Sequence, residues 1–196
     1  MGKKLDLLAY KKALDFSYSY YKDKYRKGIK VPYFNYLSSV SNLIIENNGS
    51  TDEAVAGLIH DYFEHEDISK KSNFIKNKFG SKVLNIVKQC SDHERSDKND
   101  ENWINYKKKY LETMQKKSQS SLLVALCDKS HSINCIINDH NRIGKKLWKN
   151  DFQTPEQVLW YYKNLCKNFK KYLNNNKTLI DKFQRNVNEL EYKIKN

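Results

Sequence analysis

The chain has 196 residues, a net charge of +13, 39% hydrophobic and 13% aromatic side chains, and only two Pro and six Gly. That length suits one domain with a sizeable core, or one domain plus a helical extension. The composition excludes a membrane-spanning or disordered chain, and so few breakers exclude a turn-rich β-sandwich or barrel.

Long helices are the expectation. Residues 5–26 place Leu5, Leu8, Ala9, Ala13, Phe16, Tyr20 and Tyr21 at a helical period, closed by Gly28 with Pro32 just beyond. A second helix runs from Tyr33 through Leu37, Val40, Leu43 and Ile44 to Asn47-Asn48-Gly49. Ser50 or Thr51 caps a third, with Asp52 and Glu53 in its first turn and a stripe from Ala54 to Phe63. Short helices follow at 74–79, ended by Gly80, and at 83–90; residues 91–100 read as a polar loop. Helix resumes over 103–114, and 118–137 is the most apolar stretch, a central buried helix. Thr154-Pro155-Glu156-Gln157 is a capping box with Pro at the first helical position, opening a helix over 158–173; 179–194 is the last. The fold class is all-α, a single-domain bundle of about nine or ten helices. Residues 1–172 form the main helical domain and 173–196 a C-terminal helical extension packed on it.

No apolar run approaches the roughly 20 residues of a membrane helix. The start, Met1-Gly2-Lys3-Lys4-Leu5-Asp6, carries neither a signal-peptide segment nor a myristoylation signal, so the expected place is the cytoplasm, with no membrane partner. Cys90, Cys127, Cys135 and Cys166 lack metal-ribbon spacing and read as free thiols. Of the 36 basic residues 32 are Lys, spread in ones and twos, which argues for a generally basic surface over a dedicated nucleic-acid face. A basic groove for a polyanionic small molecule fits the same numbers.

Chemistry concentrates at two places. His60 and Asp61 end a buried apolar helix, with Glu64 three and four residues on, so that all three edge one face. Asp128 lies inside the most apolar helix. An isolated His-Asp pair commonly has a plain structural reading, Asp61 and Glu64 pairing with surface Lys and His60 a satisfied core histidine. A buried carboxylate at 128 wants a cation, however, and His60, Asp61 and Asp128 together make an oxygen-rich set that suits Mn²⁺ or Mg²⁺ better than Zn²⁺. Such an ion polarises a phosphoryl oxygen and activates water, with Glu64 placed to orient or deprotonate that water.

The same residues carry a family resemblance. The run Tyr25-Arg26-Lys27-Gly28-Ile29-Lys30-Val31-Pro32-Tyr33-Phe34-Asn35-Tyr36-Leu37 resembles the "RKGT-x-x-PY-x-x-HL" segment of small alarmone hydrolases, stand-alone relatives of the RelA/SpoT hydrolase domain in the HD superfamily. Residues 54–61 resemble the family's "A-x-A-x-LLHD", residues 125–131 its "ADKLHN", and the likeness covers roughly residues 5–170. It implies an all-helical HD fold and Mn²⁺-dependent removal of the 3′-pyrophosphate from (p)ppGpp. Carried over by position, His60, Asp61 and Asp128 are metal ligands, with Tyr36 at a fourth ligand position. Glu64 and His65 occupy the catalytic pair. Arg26 stacks on guanine, Lys27 lies near the phosphates and Ser132 stands at a ribose contact.

Three of these depart from the family pattern: Tyr36 replaces a ligating His, His65 a catalytic Asp and Ser132 an Asn. A phenol with a reference pKa near 10 is a poor ligand, and His65 can shuttle protons but not supply carboxylate charge. Two readings therefore stand: a working metal-dependent pyrophosphohydrolase, and a weakened relative that binds a nucleotide or a partner without turnover.

Overall fold

The computed structural model describes residues 3–91, 100–150 and 153–196. The expected loop over 91–100, with Asp92 and His93, lies almost wholly outside them. Among the described residues there are nine α-helices, no strands, and one isolated antiparallel bridge, between Tyr25 and Pro32. The helices are α1 Leu7–Tyr21, α2 Tyr33–Glu46, α3 Thr51–Ile59, α4 Ile68–Phe79, α5 Ser81–Cys90, α6 Asp100–Thr113, α7 Gln119–Ile143, α8 Pro155–Tyr172 and α9 Lys177–Lys195. Short 3₁₀ turns lie at Tyr62–Glu64, Met114–Lys116 and Gly144–Asn150.

The chain divides into two compact units. The first comprises Met1–His93 and Ser118–Asp128, that is α1 to α5 and the opening turns of α7. The second comprises Glu94–Lys117 and Lys129–Asn196, that is α6, the remainder of α7, α8 and α9. In this second unit Phe183 of α9 meets Phe169 and Tyr162 of α8, and Asn186 donates to Asn134 of α7.

The helix signals read from the sequence are largely those the fold uses. Ser50 caps α3 through a capping box with Glu53, and Thr154 caps α8 through another with Gln157. Gly80, at φ 94°, ends α4, and Asn48, at φ 61°, turns the chain after α2. Residues 121–128 of α7 are all buried, as are Tyr161 and Tyr162. None of the four cysteines is in a disulfide; Cys127 and Cys166 are buried and Cys90 and Cys135 half-buried.

Two expectations need correction. Helix α1 ends at Tyr21, not near Gly28. Residues 22–32 instead double back, the Arg26 amide donating to the Val31 carbonyl at 2.9 Å and the Tyr33 amide to the Lys24 carbonyl at 2.8 Å. The helix carrying His60 likewise ends early, at Ile59, and Tyr62–Glu64 is a 3₁₀ turn, so His60, Asp61 and Glu64 do not share an α-helical face.

In the first unit α3 lies close against α2. A Cβ on Gly57 would stand 3.2 Å from Ser41 Cα and 2.5 Å from Ile44 Cδ1, so any side chain there would crowd α2 and push the Ile44 methyl aside. Buried hydroxyls tie α3 to two neighbours: Ser41 of α2 donates to the Ala54 carbonyl at 2.7 Å and Ser17 of α1 to the Leu58 carbonyl at 2.8 Å. This packing sets the end of α3 beside the first turn of α2, where the candidate site forms.

Candidate active site

His60 follows directly on α3 and is 3% exposed. Its Nδ1–H donates to the Gly57 carbonyl at 2.8 Å, which fixes the ring and leaves Nε2 as the working atom. That Nε2 is buried and makes no hydrogen bond. It faces two carboxylates at ion-pair distance, Asp61 Oδ2 at 3.4 Å and Asp128 Oδ1 at 3.4 Å. Each carboxylate is in turn held by a phenol. Tyr33 donates to Asp61 Oδ2 at 2.5 Å, and Tyr36 donates to Asp128 Oδ1.

The two phenols come from successive turns of one helix. Tyr33 opens α2 and Tyr36 follows three residues later, their rings stacked with centroids 5.7 Å apart and planes at 23°. Tyr36 also lies against His60, the ring centroids 6.4 Å apart. Four of the residues singled out in the sequence, Tyr36, His60, Asp61 and Asp128, therefore meet in the first unit. Tyr33 joins them, although nothing in its sequence neighbourhood singles it out beyond its place in the "PY" pair.

The electrostatics follow from this closure. Burial disfavours a charged imidazole at His60, but Asp61 and Asp128 outweigh it and lift the pKa to about 9. Burial, reinforced by the Asp61 carboxylate, pushes the Tyr33 phenol far above its ordinary range, and Tyr21 behind it is raised for the same reasons. Tyr33 and Tyr36 are thus both donors to carboxylates.

The remaining candidates stand outside this cluster, although Glu64 lies near enough to Tyr33 and Tyr21 to help raise both phenols. Glu64 and His65 are exposed on and just after the 3₁₀ turn, the His65 ring packing edgewise on Tyr21 with centroids 6.2 Å apart. Arg26 and Lys27 sit on the doubled-back segment leading into α2, Arg26 half-buried and Lys27 exposed. Ser132 belongs to the second unit, where its hydroxyl accepts a 2.9 Å hydrogen bond from Tyr162.

An imidazole nitrogen and two carboxylates fit a hard divalent cation by donor chemistry, and the unbonded buried Nε2 of His60 is the atom such an ion would use. In the structure these side chains touch one another. Among the described residues no group of three His, Cys, Asp or Glu is spaced to hold a metal ion.

A family model described as the HD domain matches residues 13–150. The chain belongs to the HD-domain family. This HD domain is 32% identical over 124 residues to the guanosine-3′,5′-bis(diphosphate) 3′-pyrophosphohydrolase MESH1 of Xenopus tropicalis, a stretch covering 62% of this chain and 65% of that relative. Its fold is similar to that of a metazoan ortholog of SpoT that hydrolyses ppGpp, with a TM-score of 0.74 and 19% identity over 92% of this chain and 94% of that one. It is also similar to lmo0812 from Listeria monocytogenes EGD-e, with a TM-score of 0.66 and 18% identity over 82% of this chain and 99% of that one. At those identities the structural likeness is one of fold. Among the described residues no helix of this HD domain is long and apolar enough to cross a membrane.

Proposed function

We propose that this HD domain is a cation-dependent phosphohydrolase that removes pyrophosphate from a guanosine polyphosphate of the (p)ppGpp type. The observation that carries the reading is the convergence of His60 Nε2, Asp61 and Asp128 on one point of the first unit, with Nε2 left without a hydrogen bond. The curated relative that acts on guanosine-3′,5′-bis(diphosphate) supports the substrate class. A net charge of +13 suits a polyanion.

His60, Asp61 and Asp128 would hold the cation, Mn²⁺ or another divalent ion. Bound there, it supplies Lewis-acid polarisation of a phosphoryl group and activation of water. The chain's own residues do the rest. The Gly57 carbonyl keeps the proton on Nδ1 of His60, so that Nε2, once a cation displaces its own proton, would present its lone pair. Arg26 offers a planar guanidinium to stack on guanine, and Lys27 an ammonium to the phosphates. Water attacks the phosphorus bonded to O3′, and Glu64 accepts its proton as the new P–O bond forms and the P–O3′ bond breaks. That proton, carried by Glu64 or by His65 beside it, passes to the leaving 3′ oxygen, so that pyrophosphate and a 3′-hydroxyl are released.

A second reading, nucleotide binding without turnover, has one observation in its favour. Tyr36 spends its phenol proton on Asp128 at the position where the resembling hydrolases carry a ligating His. One experiment separates the two. Purified protein with Mn²⁺ and ppGpp should release pyrophosphate, and His60→Ala and Asp128→Ala should each abolish the release. Micromolar nucleotide binding by calorimetry, with equal inertness of wild type and both variants, would establish the second reading instead.

A further inference from the structure

Both carboxylates at the site carry the same device. A tyrosine from the first turn of α2 donates a hydrogen bond to the oxygen of Asp61, and another from the next turn does so to Asp128. In each case the bonded oxygen is also the one that faces His60 Nε2 at 3.4 Å. The rings are stacked on each other, and Tyr36 is pinned a second time, its hydroxyl lying 3.3 Å from the Asp128 backbone carbonyl. A carboxylate turns freely about its Cβ–Cγ bond unless something holds it. Here a rigid, two-ring platform holds both.

We propose that Tyr33 and Tyr36 are paired positioning residues, each phenol fixing one carboxylate toward His60, and that neither is itself a metal ligand. This rests on the reading of the cluster as a cation site, and it reassigns position 36. The phenol there donates its hydrogen bond to Asp128 and acts through that carboxylate. The position loses a ligand, and the remaining two carboxylates gain fixed orientation. Tyr33 does for Asp61 what Tyr36 does for Asp128.

The test uses the full chain and Mn²⁺ alone, titrated with free Mn²⁺ followed by electron paramagnetic resonance. Tyr33→Phe and Tyr36→Phe, each keeping its ring and losing its hydroxyl, should weaken Mn²⁺ binding by about 10- to 100-fold. In an Asp61→Asn background Tyr33→Phe should cost nothing further, because its effect passes through that carboxylate alone. Near-ultraviolet difference spectra should show no tyrosinate band on Mn²⁺ binding. In the cation-free protein, proton NMR should show two slowly exchanging hydroxyl protons downfield of the amides, one lost with each Phe variant.

Unchanged affinity in Tyr33→Phe, a further loss when it is added to Asp61→Asn, a tyrosinate band that Tyr36→Phe removes, absence of the hydroxyl protons, or no Mn²⁺ binding by wild type would each overturn the proposal. The hydrolase reading fails separately, if Mn²⁺-loaded wild type leaves ppGpp intact.

Discussion

His60 is the residue on which the charge balance of the site turns. Its pKa of about 9 in the fold stands above the roughly 6.5 of an imidazole in the unfolded chain. A raised value in the folded state means that the cation-free fold binds a proton the unfolded chain does not, across the interval between the two. The stabilisation is full below about pH 6.5 and is lost as pH rises through about 9. The melting temperature of cation-free protein should therefore fall across that interval, and His60→Gln should flatten the fall. A melting temperature identical in wild type and His60→Gln across the whole interval would contradict the arrangement described. This part of the site was legible in the sequence, because a His-Asp pair and a carboxylate in an apolar helix are local anomalies. Tyr33 was not. Its reason for being there is a hydrogen bond to a residue 28 positions away, and no local pattern beyond the "PY" pair marks it.

At the scale of single elements, short-range chemistry decides what can be read. The capping boxes at Ser50 and Thr154 and the stop at Gly80 each depend on side chains within a few residues, and each stands where its sequence pattern puts it. The end of α1 does not. Lys22, Asp23 and Lys24 continue a helical composition, and what stops the helix is the pairing of residues 24–26 with residues 31–33, a contact across a turn. The end of α3 is hidden for a related reason: apolar Tyr62 and Phe63 extend the stripe, yet they are buried from a 3₁₀ turn. Because α3 delivers His60, its cap matters to the site. Ser50→Ala should lower the unfolding free energy by about 1 kcal/mol in denaturant titrations. It should do so without changing the slope, since the surface exposed on unfolding stays the same. No loss of stability, or a changed slope, would argue against the box as the anchor of this helix.

The whole molecule is strongly basic, and that charge acts at long range. With +13 spread over the chain, capture of a polyanionic nucleotide should be assisted electrostatically and screened by salt over a distance of about 8 Å at physiological ionic strength. On the hydrolase reading proposed above, the KM for ppGpp should therefore rise with added KCl while kcat changes little. A KM indifferent to salt would show that the charge is diffuse background with no part in recognition. The all-α class was readable from composition and breaker scarcity, and the HD fold from the resemblance that the ordered motifs carry. The division into two units was not, because it interleaves segments distant along the chain.

That interleaving has a consequence for synthesis. The first unit is incomplete until Ser118–Asp128 has been made, and the last residue of that segment is Asp128 itself. A ribosome that has delivered α1 to α5 has delivered the histidine, one aspartate and both tyrosines, but their remaining partner is still untranslated. Until Asp128 emerges, neither the second carboxylate that faces His60 nor the one that Tyr36 holds in the finished fold exists. The cluster of His60, Asp61 and Asp128 can therefore close only once the opening turns of α7 have been made.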